Sequence, residues 1–191
     1  MQKKKKIICF MGKSGSGKST RIKWLHRDFP ETHIVKSFTT REIRIDDPED
    51  IYTHTFVTEK EFENDKKNNE IIALYESPKG YKSWTTDKSF KNINLYAIDP
   101  IACADLIKEH SEEYMIVPIY LNLKDDERLE RLRKRDLVSE LPQEEHLSYK
   151  HLVNADVSFD MIYSGESRLN NAMELLDGIT RWLVILSGMD I

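Results

Sequence analysis

The sequence predicts an α/β fold, an open and mostly parallel central sheet with helices on both faces. Runs that are apolar almost throughout, "IICFM", "INLYAID" and "YMIVPIYL", suit strands buried on both faces of a parallel sheet. Each is followed by a stretch with helical spacing, and such βα alternation is what parallel strands joined by crossover helices produce. At 191 residues with 39% apolar residues, the chain is long enough to bury one sizeable core, so a single globular domain is expected.

The elements follow in order. Ile7 to Met11 reads as the first strand, behind a solvated lysine lead-in, Lys3 to Lys6, whose apolar continuation is too short for a signal peptide. Gly-rich sequence then opens a helix, "KSTRIKWLHRDF", in which Ile22, Leu25 and Phe29 form one inward face. After Pro30, "THIVKSF" reads as a second β-like piece. From there to about Thr86, short β-like runs ("THTFV", "EIIALY", "GYKSWTT") alternate with one charged helix, "EKEFENDKKN", a composition suited to a small exposed subdomain. Buried-strand character returns in "INLYAID" and "YMIVPIYL", each leading into a helix, "PIACADLIKEH" and "KDDERLERLRKR". The polar stretch "LVSELPQEEHLSYKHLVNAD", broken by Pro142, reads as a helical flap, "FDMIYS" as a last strand and "RLNNAMELLDGITRWLVIL" as a closing amphipathic helix.

Composition narrows the partners. A net charge of -4 gives no global positive field, so neither nucleic acid nor an anionic membrane is an expected partner. No segment approaches transmembrane length. Cys9 and Cys103 fit no metal-ligand spacing and read as buried, reduced thiols of a cytoplasmic protein. The apolar C-terminal "WLVIL" suits either core or a dimer contact, so a monomer or homodimer is expected.

Two motifs carry chemistry. Gly12, Gly17, Lys18 and Ser19 satisfy G-x-x-x-x-G-K-[ST], between a buried strand and a helix start. In such a loop the backbone N–H groups of Gly12, Ser14, Gly15, Ser16, Gly17, Lys18, Ser19 and Thr20 surround the phosphates. The helix N-terminus favours their charge, Lys18 reaches the β/γ oxygens and Ser19 ligates Mg²⁺. A nucleoside triphosphate with Mg²⁺ is therefore the expected ligand. No N-K-x-D base-reading motif of a small switch GTPase is present. The second motif, "KSFTTREIR", sets Arg41 and Arg44 three apart after the second β-like run, as a two-pronged phosphate clamp or as two solvated arginines. Asp99, after a buried strand, suits organisation of Mg²⁺ through water or a helix cap before Pro100.

The order of these motifs resembles the guanylate kinase family. That family's P-loop, S-x-T-T-R-x-x-R, aromatic-x-F-V and acidic helix are matched by Gly12 to Ser19, Ser37 to Arg44 and "THTFVTEKEF", ahead of "NNEIIALYESPKGYKSWTT". The resemblance is strongest from Lys5 to Phe62. It implies a P-loop kinase fold with a mostly parallel central sheet flanked by helices, formed by 1–35, 88–135 and 154–191. A small β-rich acceptor-binding insertion would span 36–87 and a helical lid 136–153. It further implies that Arg41 and Arg44 hold the acceptor monophosphate, joined by Tyr81 and with Tyr52 nearby, and that Ser37, Thr85 and Asp99 lie on the acceptor's base side. Arg131 and Arg135, on the helix "DERLERLRKRDL", would sit beside the transferring group. Arg128 and Arg133 read instead as members of an exposed helix laced with acidic partners.

The chain departs from the family pattern at three places. The guanine-reading glutamate falls at Ala73, with Glu76 three residues on and toward the opposite face of a strand. The phosphate-binding tyrosine falls at His54, and Lys150 and His151 stand where a lid arginine is expected. The implied activity is phosphoryl transfer from ATP to a nucleoside monophosphate, GMP or dGMP first. Another (deoxy)nucleotide, ribose 1,5-bisphosphate or a non-catalytic binding module are the alternatives.

Overall fold

The computed structural model describes residues 4–44, 50–123, 125–134 and 158–161. Arg135, the segment 136–153 and the closing helix of the sequence analysis lie outside them.

Strand β1 (Lys5–Met11) is the centre of a five-stranded sheet, paired in parallel with β7 (Ile93–Ala97) on one side and β8 (Tyr114–Leu123) on the other. The edges are β2 (His33–Ile34), parallel to β7, and β9 (Ser158–Met161), parallel to β8. Successive side chains of β1 point to opposite faces, as strand geometry requires. Ile8 and Phe10 pack with Ile22 and Leu25 of α1 (Lys18–Asp28), while Ile7, Cys9 and Met11 pack with Ala102, Cys103 and Leu106 of α4 (Pro100–His110). This two-sided burial is why β1 is apolar from Ile7 onward. Cys9 and Cys103 are both free and buried, and their mutual contact together with burial pushes the Cys9 thiol pKa up.

A second, mixed sheet of four strands runs in the order β4 (His54–Phe56), β3 (Ser37–Thr39), β6 (Lys82–Thr86), β5 (Ile71–Glu76). The β3–β4 pair is parallel, and the other two pairs are antiparallel. The run "THIVKSF", expected as one piece, is divided between the sheets. The Val35 N–H still bonds the Leu95 carbonyl of β7, whereas Ser37 already pairs with His54. Two short helical turns, α2 (Asp50–Thr53) and a 3-10 turn at Asp87–Ser89, carry no apolar period and were not expected.

The charged helix α3 (Glu59–Lys67) begins with a capping box in which Thr58 and Glu61 satisfy each other's end of the first turn. It covers the small sheet through Phe62, whose ring meets the fully buried Trp84 edge-on at 5.1 Å. Trp84 Nε1–H donates to Asp65 Oδ2 at 2.9 Å. Replacing Trp84 by phenylalanine leaves Asp65 without that donor and opens space beside Phe62. Urea denaturation is expected to record a loss of about 1–3 kcal/mol, and an unchanged midpoint would contradict this account.

Because β1, β7 and β8 are parallel, the segments after them emerge at one edge of the large sheet. Those segments are the glycine loop 12–17, Asp99 at the start of α4, and α5 (Asp125–Lys134). Ligands of open α/β sheets bind at this carboxyl edge.

Candidate active site

All six carbonyls from Gly12 to Gly17 face cationic side chains. Lys18 Nζ donates to Gly12 O at 2.5 Å and to Lys13 O at 3.3 Å. Arg128 Nη1 approaches Ser14 O and Arg131 Nη1 approaches Gly15 O, each at 3.4 Å. Arg21 Nη1 reaches Ser16 O at 3.2 Å and Gly17 O at 3.3 Å. In a peptide unit the N–H points away from the C=O, so each carbonyl held by a cation leaves the next N–H on the opposite side, and the Ser16 N–H closes a turn onto the Lys13 carbonyl at 3.1 Å. The backbone needs glycine to do this. Gly17 has φ +88°, and a Cβ there would meet Arg21 Nη1 at 2.5 Å. Gly12 has φ +150°, and a Cβ there would meet Ser16 Oγ at 2.6 Å and Leu121 O at 2.9 Å.

The Ser16 hydroxyl is buried without a hydrogen-bond partner among the described residues. A buried hydroxyl left unpaired is costly, and a phosphate oxygen in the loop would satisfy it. The loop residues therefore fit a phosphate chain. Ser19, in the first turn of α1 and partly exposed, fits the role of an Mg²⁺ ligand on that chain.

Asp99 caps α4, its carboxylate accepting from the Ile101 N–H at 2.8 Å with Pro100 at the first helical position. Burial raises its pKa, opposed by that bond, by the Ala102 N–H and by the positive charge of Lys18. The cap reading weighed from the sequence is thus what the structure contains, and Asp99 also lies within electrostatic reach of Lys18.

Arg41 and Arg44 flank a buried carboxylate. Asp50 takes two bonds from Arg41, at 2.9 Å from Nη1 and 2.6 Å from Nη2, and a third from the Arg44 backbone N–H at 3.1 Å. His54 Nδ1 lies 3.4 Å from the same carboxylate. Burial alone would raise the Asp50 pKa. The contacts from His54, Arg41 and the Arg44 N–H outweigh it and hold the carboxyl far below the usual range. A carboxyl depressed in the folded state stabilises the fold fully above its unfolded value of about 3.9, and loses that contribution as pH falls through that value toward the native one. Asp50→Asn is therefore expected to be less stable near neutral pH and to lose less further stability between pH 6 and 3 than the parent. Urea titrations at the two pH values test this, and equal acid sensitivity of both proteins would refute it.

The remaining expected acceptor residues divide. Tyr81 is partly exposed beside Tyr75, with ring centroids 6.3 Å apart. The Tyr52 ring lies under Lys23 Nζ, 3.7 Å from its centroid, while the aromatic side chain that meets Asp50 is His54. Ser37 and Thr85 both reach the Tyr96 hydroxyl, at 3.4 Å each, in a buried group where Thr85 has no exposed surface. Thr85 is thus closed off by Tyr96 rather than open to a ligand. Burial pushes the Tyr96 phenol up to about 12, against the pull of Ser37 and Thr85, so it stays neutral. Ala73, cross-strand from Thr85, is buried in the same core, whereas Glu76 is exposed and pairs in register with Lys82.

Several site residues were missed from the sequence. Arg128, expected on an exposed face, is buried; it keeps its helix partner Asp125 at 3.1 Å but also reaches the loop. Arg133 is exposed, as expected. Arg21, Asp50 and Ser83 were not singled out, and Ser83 Oγ donates to Thr39 Oγ1 at 2.9 Å beside Arg41. A sequence signal existed for Arg21, which stands one turn after the Gly17 carbonyl and so can reach back to it.

No protein-family model matches the chain. Guanylate kinases of three Helicobacter pylori strains are each 27% identical to it over 186 residues, spanning 93% of this chain and 87% of theirs. The crystal structure of guanylate kinase from Anaplasma phagocytophilum superimposes with a TM-score of 0.62 at 20% identity, covering 98% of this chain and 88% of that one. Nearly the whole chain aligns both times: it is similar in sequence to the guanylate kinases of the first group, and it shares the fold of the second.

Proposed function

We propose that the protein transfers the γ-phosphoryl group of ATP to a nucleoside monophosphate, with GMP or dGMP the first acceptor. The observation that carries this reading is the glycine loop, whose carbonyls are held by Lys18, Arg21, Arg128 and Arg131 while the buried Ser16 hydroxyl lacks a partner among the described residues. An oxygen of the acceptor phosphate attacks the γ-phosphorus, and the bond from that phosphorus to the β–γ bridging oxygen breaks, releasing ADP. The attacking oxygen is already ionised, so no general base is required.

Catalysis then consists of holding two polyanions in line and spreading the developing charge over Lys18, Arg41, Arg44, Arg131 and Arg135. Mg²⁺, held by Ser19 and through water by Asp99, would neutralise charge on the donor phosphates. In this reading 1–35, 88–135 and 154–191 form the core, 36–87 binds the acceptor, and 136–153 is the lid that excludes water. Ser37, Tyr52, Tyr81 and Thr85 belong to the acceptor side, with Thr85 acting through Tyr96. Among the described residues no helix is long and apolar enough to cross a membrane. The protein is read as a cytoplasmic enzyme of small nucleotides, a monomer or homodimer, without nucleic acid or membrane as partner.

The test is ADP release from Mg²⁺ATP with GMP, dGMP, AMP, CMP, UMP, dTMP or ribose 1,5-bisphosphate as acceptor. Turnover fastest on GMP or dGMP is the expected result. Turnover on another acceptor would move the substrate assignment, for which the buried Ala73 gives a reason. ATP binding with no turnover on any acceptor would overturn the proposal in favour of a binding module.

A further inference from the structure

We propose that Asp50 is a positioning residue of the acceptor clamp, holding the Arg41 guanidinium by one edge so that its other edge meets the acceptor phosphate. The proposal rests on the reading that Arg41 serves that phosphate.

A planar guanidinium carries five N–H groups and can engage an oxyanion along more than one edge. The end-on edge of Arg41 is taken by Asp50, one hydrogen from each of Nη1 and Nη2. The second Nη1 hydrogen goes to the Glu42 carbonyl at 2.9 Å, and Phe56 lies against the group with its ring centroid 5.5 Å from Cζ. These contacts fix both the plane and the rotation of the group. Among the described residues, Nε–H and the outer Nη2 hydrogen have no partner, and together they form a second, side-on fork.

Asp50 itself is poorly placed to leave. Its side chain is 3% exposed, its carboxylate also accepts from the Arg44 N–H, and His54 approaches it at 3.4 Å. The carboxylate therefore ties both clamp arginines together, one by side chain and one by backbone. A carboxylate that merely filled the phosphate position would have to be displaced on binding. That alternative predicts the opposite sign when its charge is removed.

The experiment compares the parent, Asp50→Asn, Arg41→Ala and the double variant for acceptor KM, kcat and the KM of ATP. Asp50→Asn is expected to raise acceptor KM roughly 10- to 100-fold, as displaced supporting partners typically do, with a smaller change in kcat and none in the KM of ATP. In the Arg41→Ala background the same substitution is expected to add nothing, because Asp50 acts through Arg41. An acceptor KM that is unchanged or lowered in Asp50→Asn, or a full additional loss in the double variant, would overturn the proposal.

A second readout does not depend on turnover. Nitrogen-resolved NMR of the parent is expected to show slow rotation of the Arg41 Nη groups, lost in Asp50→Asn and kept in Asp50→Glu. Freely rotating Nη groups in the parent would overturn the proposal whether or not Asp50→Asn folds. A parent that turns over no acceptor but holds Arg41 rigid would sink the functional reading and leave the Asp50–Arg41 geometry intact.

Discussion

Lys18→Ala is expected to lower kcat by about 10³-fold or more while leaving thermal stability close to that of the parent. The side chain is only partly buried and packs no core, so its removal opens no cavity. Its ammonium turns back onto the Gly12 and Lys13 carbonyls, a position from which it can follow the β/γ oxygens of a bound donor. Nothing among the described residues duplicates that charge at the same point. Arg128 and Arg131 approach the loop from the side of α5, at Ser14 and Gly15. Single-turnover and steady-state ADP release, paired with a thermal melt, would measure both halves of the prediction. Turnover within tenfold of the parent would remove the P-loop mechanism, and a collapsed melt would mean that Lys18 is structural.

The position of the loop was legible because the motif sets residue types at fixed offsets between a strand and a helix, and both flanking elements are strongly patterned. The central strands were legible for a similar reason, since burial on both faces leaves only apolar choices. Asp50 carried no such signal. In the sequence it belongs to the acidic run "DDPED", and only the fold brings it against Arg41 nine residues away. Arg128 was misjudged because spacing of three and four reports helix partners, whereas its second contact, Ser14, is 114 residues distant. Tyr96 was absorbed into an apolar strand, although its hydroxyl joins the large sheet to Ser37 and Thr85 of the small one. Partners that are not one helical turn or one strand step apart leave no local period, and each of these contacts is of that kind.

Arg131 and Arg128 provide the sharper experiment, because they leave the same helix for neighbouring carbonyls of the same loop. The Arg128 residue is 7% exposed, and it is anchored by Asp125 as well as Ser14. Arg131 is less buried, and its Nη1 lies near Gly15 O and within 3.4 Å of the point where a Cβ on Gly17 would stand. Of the two, Arg131 is therefore nearer the glycine whose N–H opens the helix start, where a donor phosphate would be bound. Removing it should withdraw charge from the transferring group, an effect of about 10³-fold on kcat by analogy with other phosphoryl-transfer arginines, with a small effect on stability. Removing Arg128 should instead loosen the loop, so that Arg128→Ala loses stability and ATP affinity together while keeping more of kcat. Kinetics and melts of both alanine variants decide the matter. If Arg128→Ala suffers the larger loss of kcat, the catalytic assignment passes from Arg131 to Arg128, one turn earlier on the same helix face.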